Sequence, residues 1–522
     1  MRLSVFALPI VLVLTACGGG SNGSSAPPPV ATPAPPPAPP PVNTAPTTTS
    51  ALSASVAENT ANAFYTATAT DPEGDPLVFS ISGGEDGDLF QITAAGALSF
   101  RTPPNFEEPA DRDRDNRYVV EITVRDPGGL GARVMPTFTV TDVLTGNFRV
   151  RRVTTGLTQP VYAVAVPDTS GRMLVVQKTG QIRIVTTATG AIAPTPFLDV
   201  SGQIATDGQR GLLGLALAPD FAASGTAFIF MANVAGDIEI RRYTTVAGNR
   251  DRLDPATADT IMRIPHAASN INYGGWIGFG PYGFLYITVG DANDCAGPQN
   301  FTSIRNCNAR RYDRLLGKVL RIDVNTDAFP ADPERDYAIP PGNRYASEML
   351  LFGVRNPYRA SFNMRTNEMW FGDIGQDLEE EINRIFIPNQ YPGNNPEAVM
   401  DFDWPYKEGS RVRLFDSGAL LGSSGNPRTV YSHGAGVAGR RAVVGGYFYR
   451  GPVEFLQSLY IFGDYITGQV FSHRQGEALR DRTTEFVPNA GTINAISSFG
   501  EDQAGNVYVV DLDGELFLIE PA

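Results

Sequence analysis

Histidine and cysteine are both scarce in this chain, with three of each in 522 residues. Any proton transfer that needs an imidazole therefore has only His266, His433 and His473 to draw on. Once Cys17 is set aside, at the end of an apolar leader, only Cys295 and Cys307 remain. Positive charge is short as well: 41 Lys and Arg stand against 55 Asp and Glu. The net charge of −14 excludes the basic stripe that a nucleic-acid partner requires and suits a calcium-binding surface better. No segment of helical period and useful length interrupts the short alternating strands, which points to an all-β chain. The length itself excludes a single ordinary core.

Arg2 and the apolar run 3–14 have the length of a signal peptide, too short for a mature spanning helix. The run ends in Leu14-Thr15-Ala16-Cys17, which is similar to a bacterial lipobox, where the cysteine thiol is acylated. The expectation is a signal peptide over 1–16, a lipid anchor on Cys17 and, from Gly18 beside it, an outer-membrane address in the cell envelope. Several acyl chains on one residue anchor stably where a single chain is marginal. In that oxidising compartment Cys295 and Cys307 are expected to pair, two buried thiols being the alternative. A bridge closing roughly 13 residues contributes about 3 kcal/mol. Residues 17–49, Gly/Ser and then APPPVATPAPPPAPPPV, have nothing to bury and read as a polyproline II spacer.

Residues 50–143 alternate apolar and polar positions in short runs such as SALSASVAE, LVFSIS and YVVEITVRD, broken by Gly, Pro and Asp, as in a β-sandwich. Acids collect at the strand ends: Glu58, Asp71, Glu73, Asp75, Glu107, Asp111, Asp113, Asp115 and Asp126. Carboxylates from several loops meeting at one end of a sandwich can cage calcium, a hard cation that takes six to eight oxygens. VAEN, TATDPEGDPL and PNFEEPADRDRDN followed by VVEITVRD resemble a cadherin repeat of the bacterial type over nearly the whole module. The resemblance implies Glu58, Asp71, Asp75, Glu107 and Asp126 as calcium ligands, and a protein partner at this module. With no second repeat to complete the site, the calcium would be weakly held or shared.

From Phe148 one pattern recurs six times: a turn rich in Asp, Pro and Gly, a small apolar strand, another Gly turn and another strand. Leu174, Phe228, Tyr286, Trp370, Tyr460 and Tyr508 mark equivalent centres, roughly 50 to 90 residues apart, and each interval holds a four-stranded blade. A six-bladed β-propeller over 148–522 follows, with long insertions near 292–350 and 387–440 where a site would be built.

DGQRGLLGLALAPDF, the GGWIGFGPYGFLYITVGD run, LFGVRNPYRASF, GDIGQDLEEEINRI and VVGGYFYRG together resemble the glucose/sorbosone dehydrogenase family, whose cofactor is pyrroloquinoline quinone (PQQ). That resemblance implies oxidation of a sugar, Gln209, Arg355 and Asn356 on the quinone, and calcium held by the backbone carbonyls of Gly375 and Gln376. Arginine and amide donors suit a quinone bearing several carboxylates. The same resemblance implies a histidine as base just before a Gly-Gly pair, and here Asn272 stands in its place. An amide accepts no proton near neutral pH, and losing a positioned base costs about 10² to 10⁴ in rate. His433, in the long loop before GGYFYRG, is the substitute base the sequence offers. Asp373, Glu379 and Glu380 read as blade-turn and surface acids. Two functions stay open: a PQQ-dependent sugar dehydrogenase, or a catalytically degenerate propeller acting as a calcium-dependent module that binds a sugar or surface glycan or serves adhesion.

Overall fold

The computed structural model describes residues 42–106, 109–141, 148–266, 268–295, 306–343, 346–387, 400–413, 425–434 and 439–522. The leader with Cys17, most of the Pro-rich stretch and Glu107 lie outside the described residues. The chain divides into two compact units, Met1–Thr141 and Asp142–Ala522.

In the first unit Ser53–Ala57 runs parallel to Thr137–Thr141, which pairs antiparallel with Arg117–Val119. Glu121–Arg125 pairs with Val78–Gly83 on one side and Gly131–Val134 on the other. Ala97–Phe100 lies between Tyr65–Thr66 and Phe90–Ile92. Inward positions alternate along Thr137–Thr141, where Phe138 and Val140 are buried, and meet Phe90, Leu98 and Tyr118 in a single core.

Among its described residues the second unit is almost wholly β, with six sheets of four or more strands. Pro160–Ala165, Leu212–Leu217, Ile277–Phe279, Pro357–Asn363, Val443–Phe448 and Ile496–Glu501 each begin one sheet and pack against one another, so they are the inner strands of a six-bladed propeller. The six sequence centres all fall on the second strand of their blades, as Tyr286 does in Leu285–Val289 and Trp370 in Glu368–Asp373. Each blade is covered by a neighbour on both faces, so every residue of Leu285–Val289 is buried and polar alternation disappears. The last blade takes its outer strand from the start of the unit: Phe148–Thr154 runs antiparallel to Glu515–Pro521. Hydrogen bonds between the two ends thereby close the ring.

One side chain ties the inner strands together. A register shift between Tyr358 and Ala360 leaves Arg359 at φ 65°, a bulge that turns its side chain towards the axis. There the fully buried guanidinium donates to the carbonyls of Val161 and of Leu213 (2.9 Å) and lies over the Tyr358 ring at 4.3 Å. Tyr162 and Tyr447, from the first and fifth blades, share a hydroxyl contact at 3.2 Å.

Candidate functional site

Where the inner strands begin, a funnel of about 450 Å³ opens, lined by Val161, Leu213, Gly274, Tyr358, Val444 and Ser497, one residue from or beside each inner strand. The wall from the fifth blade is apolar, with Ala442, Val443 and Ile466. Among the described residues Lys178 is the one Lys, Arg, Asp, Glu or His on its lining. Its ammonium donates to Thr206 O at 2.6 Å, and burial pulls its pKa down while Asp207 opposes this. The remaining polar wall is amide and hydroxyl, including Gln209 and Asn356.

Four expected site residues meet in one network. Gln209 Oε1 accepts from Asn272 N at 2.7 Å, and Asn356 Oδ1 accepts from Gly274 N at 2.9 Å. Arg355 N and Asn356 N donate to the two oxygens of Asp373 at 2.9 and 2.7 Å. Asn272 takes φ 57°, and its carbonyl lies 2.1 Å from where a side chain on residue 290 would begin, so only glycine fits there.

What these side chains do differs from the expectation. The Asn272 amide donates to Asp291 Oδ1 at 2.8 Å and is buried. Asp291, fully buried, also accepts from Asn293 N at 2.7 Å and, on its other oxygen, from Trp404 Nε1 at 2.8 Å. The Arg355 guanidinium does not line the funnel: it donates to the carbonyls of Ile374 and Gly375, both at 2.9 Å. Gly375 and Gln376 belong to a loop folded around a carboxylate, since Glu408 Oε1 accepts from the amides of Gln376, Asp377 and Leu378 at 2.7, 2.7 and 2.6 Å. Glu408 is brought there by a two-stranded hairpin, Lys407–Glu408 with Arg411–Val412, and pairs with Arg413 at 3.1 Å.

None of the three histidines lines the funnel. His433 Nε2 meets Glu380 Oε1 at 2.6 Å, and that contact raises its pKa. His433, the substitute base the sequence offers, is thus engaged by a buried carboxylate and is not among the residues lining the funnel. His266 stacks on Tyr273 at 3.8 Å, with Nε2 3.0 Å from Asn272 O, and burial lowers its pKa. His473 packs against Trp370 at 6.1 Å. Asp373, Glu379 and Glu380 are buried, not surface acids. Burial pushes Asp373 up to about 7, opposed by the Arg355 and Asn356 amides.

Among the described residues the lining offers a quinone with several carboxylates the amides of Gln209 and Asn356 but a single cation, Lys178. One lysine faces several anionic groups, and an unmatched buried charge is costly. The Arg355 guanidinium, on the Gly375 carbonyl, puts positive charge beside the place where the calcium would sit.

Cys295 and Cys307 are bonded, with Cα atoms 5.3 Å apart, and pack with Ala309 and Trp404. In the N-terminal unit the acids at the strand ends cap nearby backbone. Glu58 Oε2 accepts from Phe106 N at 3.1 Å, and Asp71 Oδ1 from the amides of Glu73 and Asp75 at 3.0 and 3.2 Å. Asp126 accepts from Leu130 N at 3.0 Å and Asn43 Nδ2 at 3.1 Å. No three of Glu58, Asp71, Asp75 and Asp126 come within ligand distance of one another; among the described residues the one such group is Asp111, Asp113 and Asp115. Residues missed by sequence reasoning are Asp291, Glu408 and Arg359: single polar side chains in apolar or loop sequence, which carry no periodic signal.

Among known proteins, the chain is 25% identical to Hedgehog-interacting protein from Homo sapiens, over 70% of this chain and 50% of that protein. It is 24% identical to HIPL2 protein from Arabidopsis thaliana, over 63% and 56%. The chain thus spans about half the length of these curated relatives. Aldose sugar dehydrogenase YliI from Escherichia coli is 28% identical over 48% of this chain and 59% of that protein. Among solved structures, the PQQ-bound form of aldose sugar dehydrogenase from Streptomyces coelicolor shares the fold at a TM-score of 0.53 and 21% identity, covering 72% of this chain and 98% of that one. Residues 157–395 match the family described as Glucose / Sorbosone dehydrogenase.

Proposed function

We propose that this propeller is a binding module which has kept the shape of a sugar dehydrogenase without its chemistry. The observation that carries the reading is Asn272, whose amide is tied to buried Asp291 at the position where the family resemblance implies a base. The funnel fits a small ligand with hydrogen-bonding groups and at most one negative charge: Gln209, Asn356 and Ser497 make part of its lining polar, Lys178 meets a single anion, and the fifth-blade wall takes an apolar face. A neutral or singly acidic sugar, free or on a surface glycan, has that chemistry. Two matched relatives are named for an interaction, and this supports a binding role. The lipobox-like Cys17 and the cadherin-like stretch 50–143 support placement at the bacterial outer membrane, with a second contact surface ahead of the propeller.

The test is calorimetric titration of the full chain with a panel of aldoses and uronic acids, alongside dye reduction with added PQQ and calcium. The expected result is saturable sugar binding, weakened by Lys178→Ala for the acidic sugars alone, with no turnover. Sugar-dependent dye reduction by the unaltered chain overturns the reading in favour of a PQQ-dependent dehydrogenase. That alternative is favoured by Gln209 and Asn356 facing the funnel where the resemblance implies the quinone.

A further inference from the structure

The segment leading into the strand Arg117–Val119 reads Asp111-Arg112-Asp113-Arg114-Asp115-Asn116. One carboxylate oxygen from each of the three aspartates lies within 4.8 Å of the others. Like charges held that close repel unless a proton or a cation lies between them. Arg112 and Arg114 alternate with the acids in sequence but form no ion pair with them among the described residues.

Burial supplies an independent sign. Asp111 is 3% exposed; its Oδ2 accepts from Asp115 N at 2.8 Å, while its Oδ1 is buried with no hydrogen-bond partner. Asn116, at 9% exposed, donates through Nδ2 to Phe106 O at 2.9 Å and leaves its own Oδ1 buried and unpartnered. Buried oxygens without donors are rare in folded proteins, and a charged one needs a counter-ion. Every donor atom this segment offers is a hard oxygen, on acids spaced one, three and five along a tight turn, which is the spacing by which flexible loops wrap calcium.

We infer that Asp111, Asp113 and Asp115 form a calcium site in the N-terminal unit, with Asn116 beside it, distinct from the ligand set that the cadherin resemblance implies. It rests on nothing proposed for the funnel. Magnesium, which demands near-ideal octahedral geometry, suits an irregular loop of this kind less well.

The test is calorimetric titration of the chelator-stripped full chain with calcium to several millimolar, the range of weak extracellular modules. The unaltered chain binds calcium, and the Asp113→Asn/Asp115→Asn variant loses one ion or holds it at least about tenfold more weakly. Asp113→Asn alone, at an exposed position, keeps the question open to measurement if the double variant folds poorly. Asp126→Asn keeps the ion, because Asp126 lies in the other ligand set. The inference is overturned if the unaltered chain takes up no calcium, if the loop variants bind as it does, if Asp126→Asn alone removes the ion, or if magnesium fills the site as readily.

Discussion

Asp291 and Glu408 in the propeller and the acids of the 111–115 loop are all carboxylates, yet they end in different conditions. Asp291 accepts three hydrogen bonds, from Asn272, Asn293 and Trp404, and Glu408 accepts from three consecutive backbone amides and pairs with an arginine. Asp111 has one amide, one orphaned oxygen and two like charges for neighbours. A polar group whose bonds are all made within the protein is architecture; one left unsatisfied is open to a ligand. By that measure Asp291 is a support within the propeller, while Asp111 in the smaller unit keeps an oxygen available.

The sharpest way to break this contrast is Glu408→Ala. It leaves the amides of Gln376, Asp377 and Leu378 without their acceptor and Arg413 without its partner, and should cost about 3 kcal/mol in denaturant unfolding of the propeller. A cost well under about 1 kcal/mol would mean that water replaces the carboxylate and that the supports are dispensable.

Next in size is the joint change Cys295→Ser/Cys307→Ser. The bridge closes a short loop and packs with Trp404, which holds Asp291 at 2.8 Å, so its removal loosens the support beneath Asn272. The expected loss is about 2 to 3 kcal/mol, read from the shift in denaturant midpoint. If the two serines leave stability unchanged, Asp291 is held by its hydrogen bonds alone.

How far this organisation is written in the sequence depends on periodicity. The apolar second strands, buried on both faces, stand out as runs, and all six were legible through Leu174, Phe228, Tyr286, Trp370, Tyr460 and Tyr508. The strand Phe148–Thr154 was not assigned to the last blade, because its partner Glu515–Pro521 lies at the far end of the chain and no local pattern joins them. Arg355 and Asn356 were legible as a motif, but motifs do not tell where a guanidinium points, and here it turns to Ile374 and Gly375. The strand-end acids were legible as a group, while which three converge depends on backbone turns such as Arg114 and Asn116 at φ 59° and 64°.

A smaller effect distinguishes structural from catalytic histidine. Glu380 raises the pKa of His433 above its ordinary value of about 6.5. A group bound more tightly to its proton when folded stabilises in full below the unfolded pKa, and that contribution disappears as pH rises through the folded value. The stability difference between the unaltered chain and His433→Gln should therefore be largest in mild acid and shrink in mild alkali. A difference that grows with pH would contradict a protonated pair.

The smallest effect carries the opposite sign. Asp113 is exposed and sits against Asp111 and Asp115, so in calcium-free protein Asp113→Asn removes repulsion and should stabilise the N-terminal unit by about 0.5 kcal/mol or less. Thermal melting in chelator, at low salt where surface charge is least screened, reads it. With calcium added the order reverses, because the unaltered loop gains an ion that the variant holds poorly. A propeller acid such as Glu408 shows no such reversal, since its partners are built into the chain and do not depend on calcium. Should Asp113→Asn destabilise equally with and without calcium, the loop acids are supports like the others, and the contrast between the two regions fails.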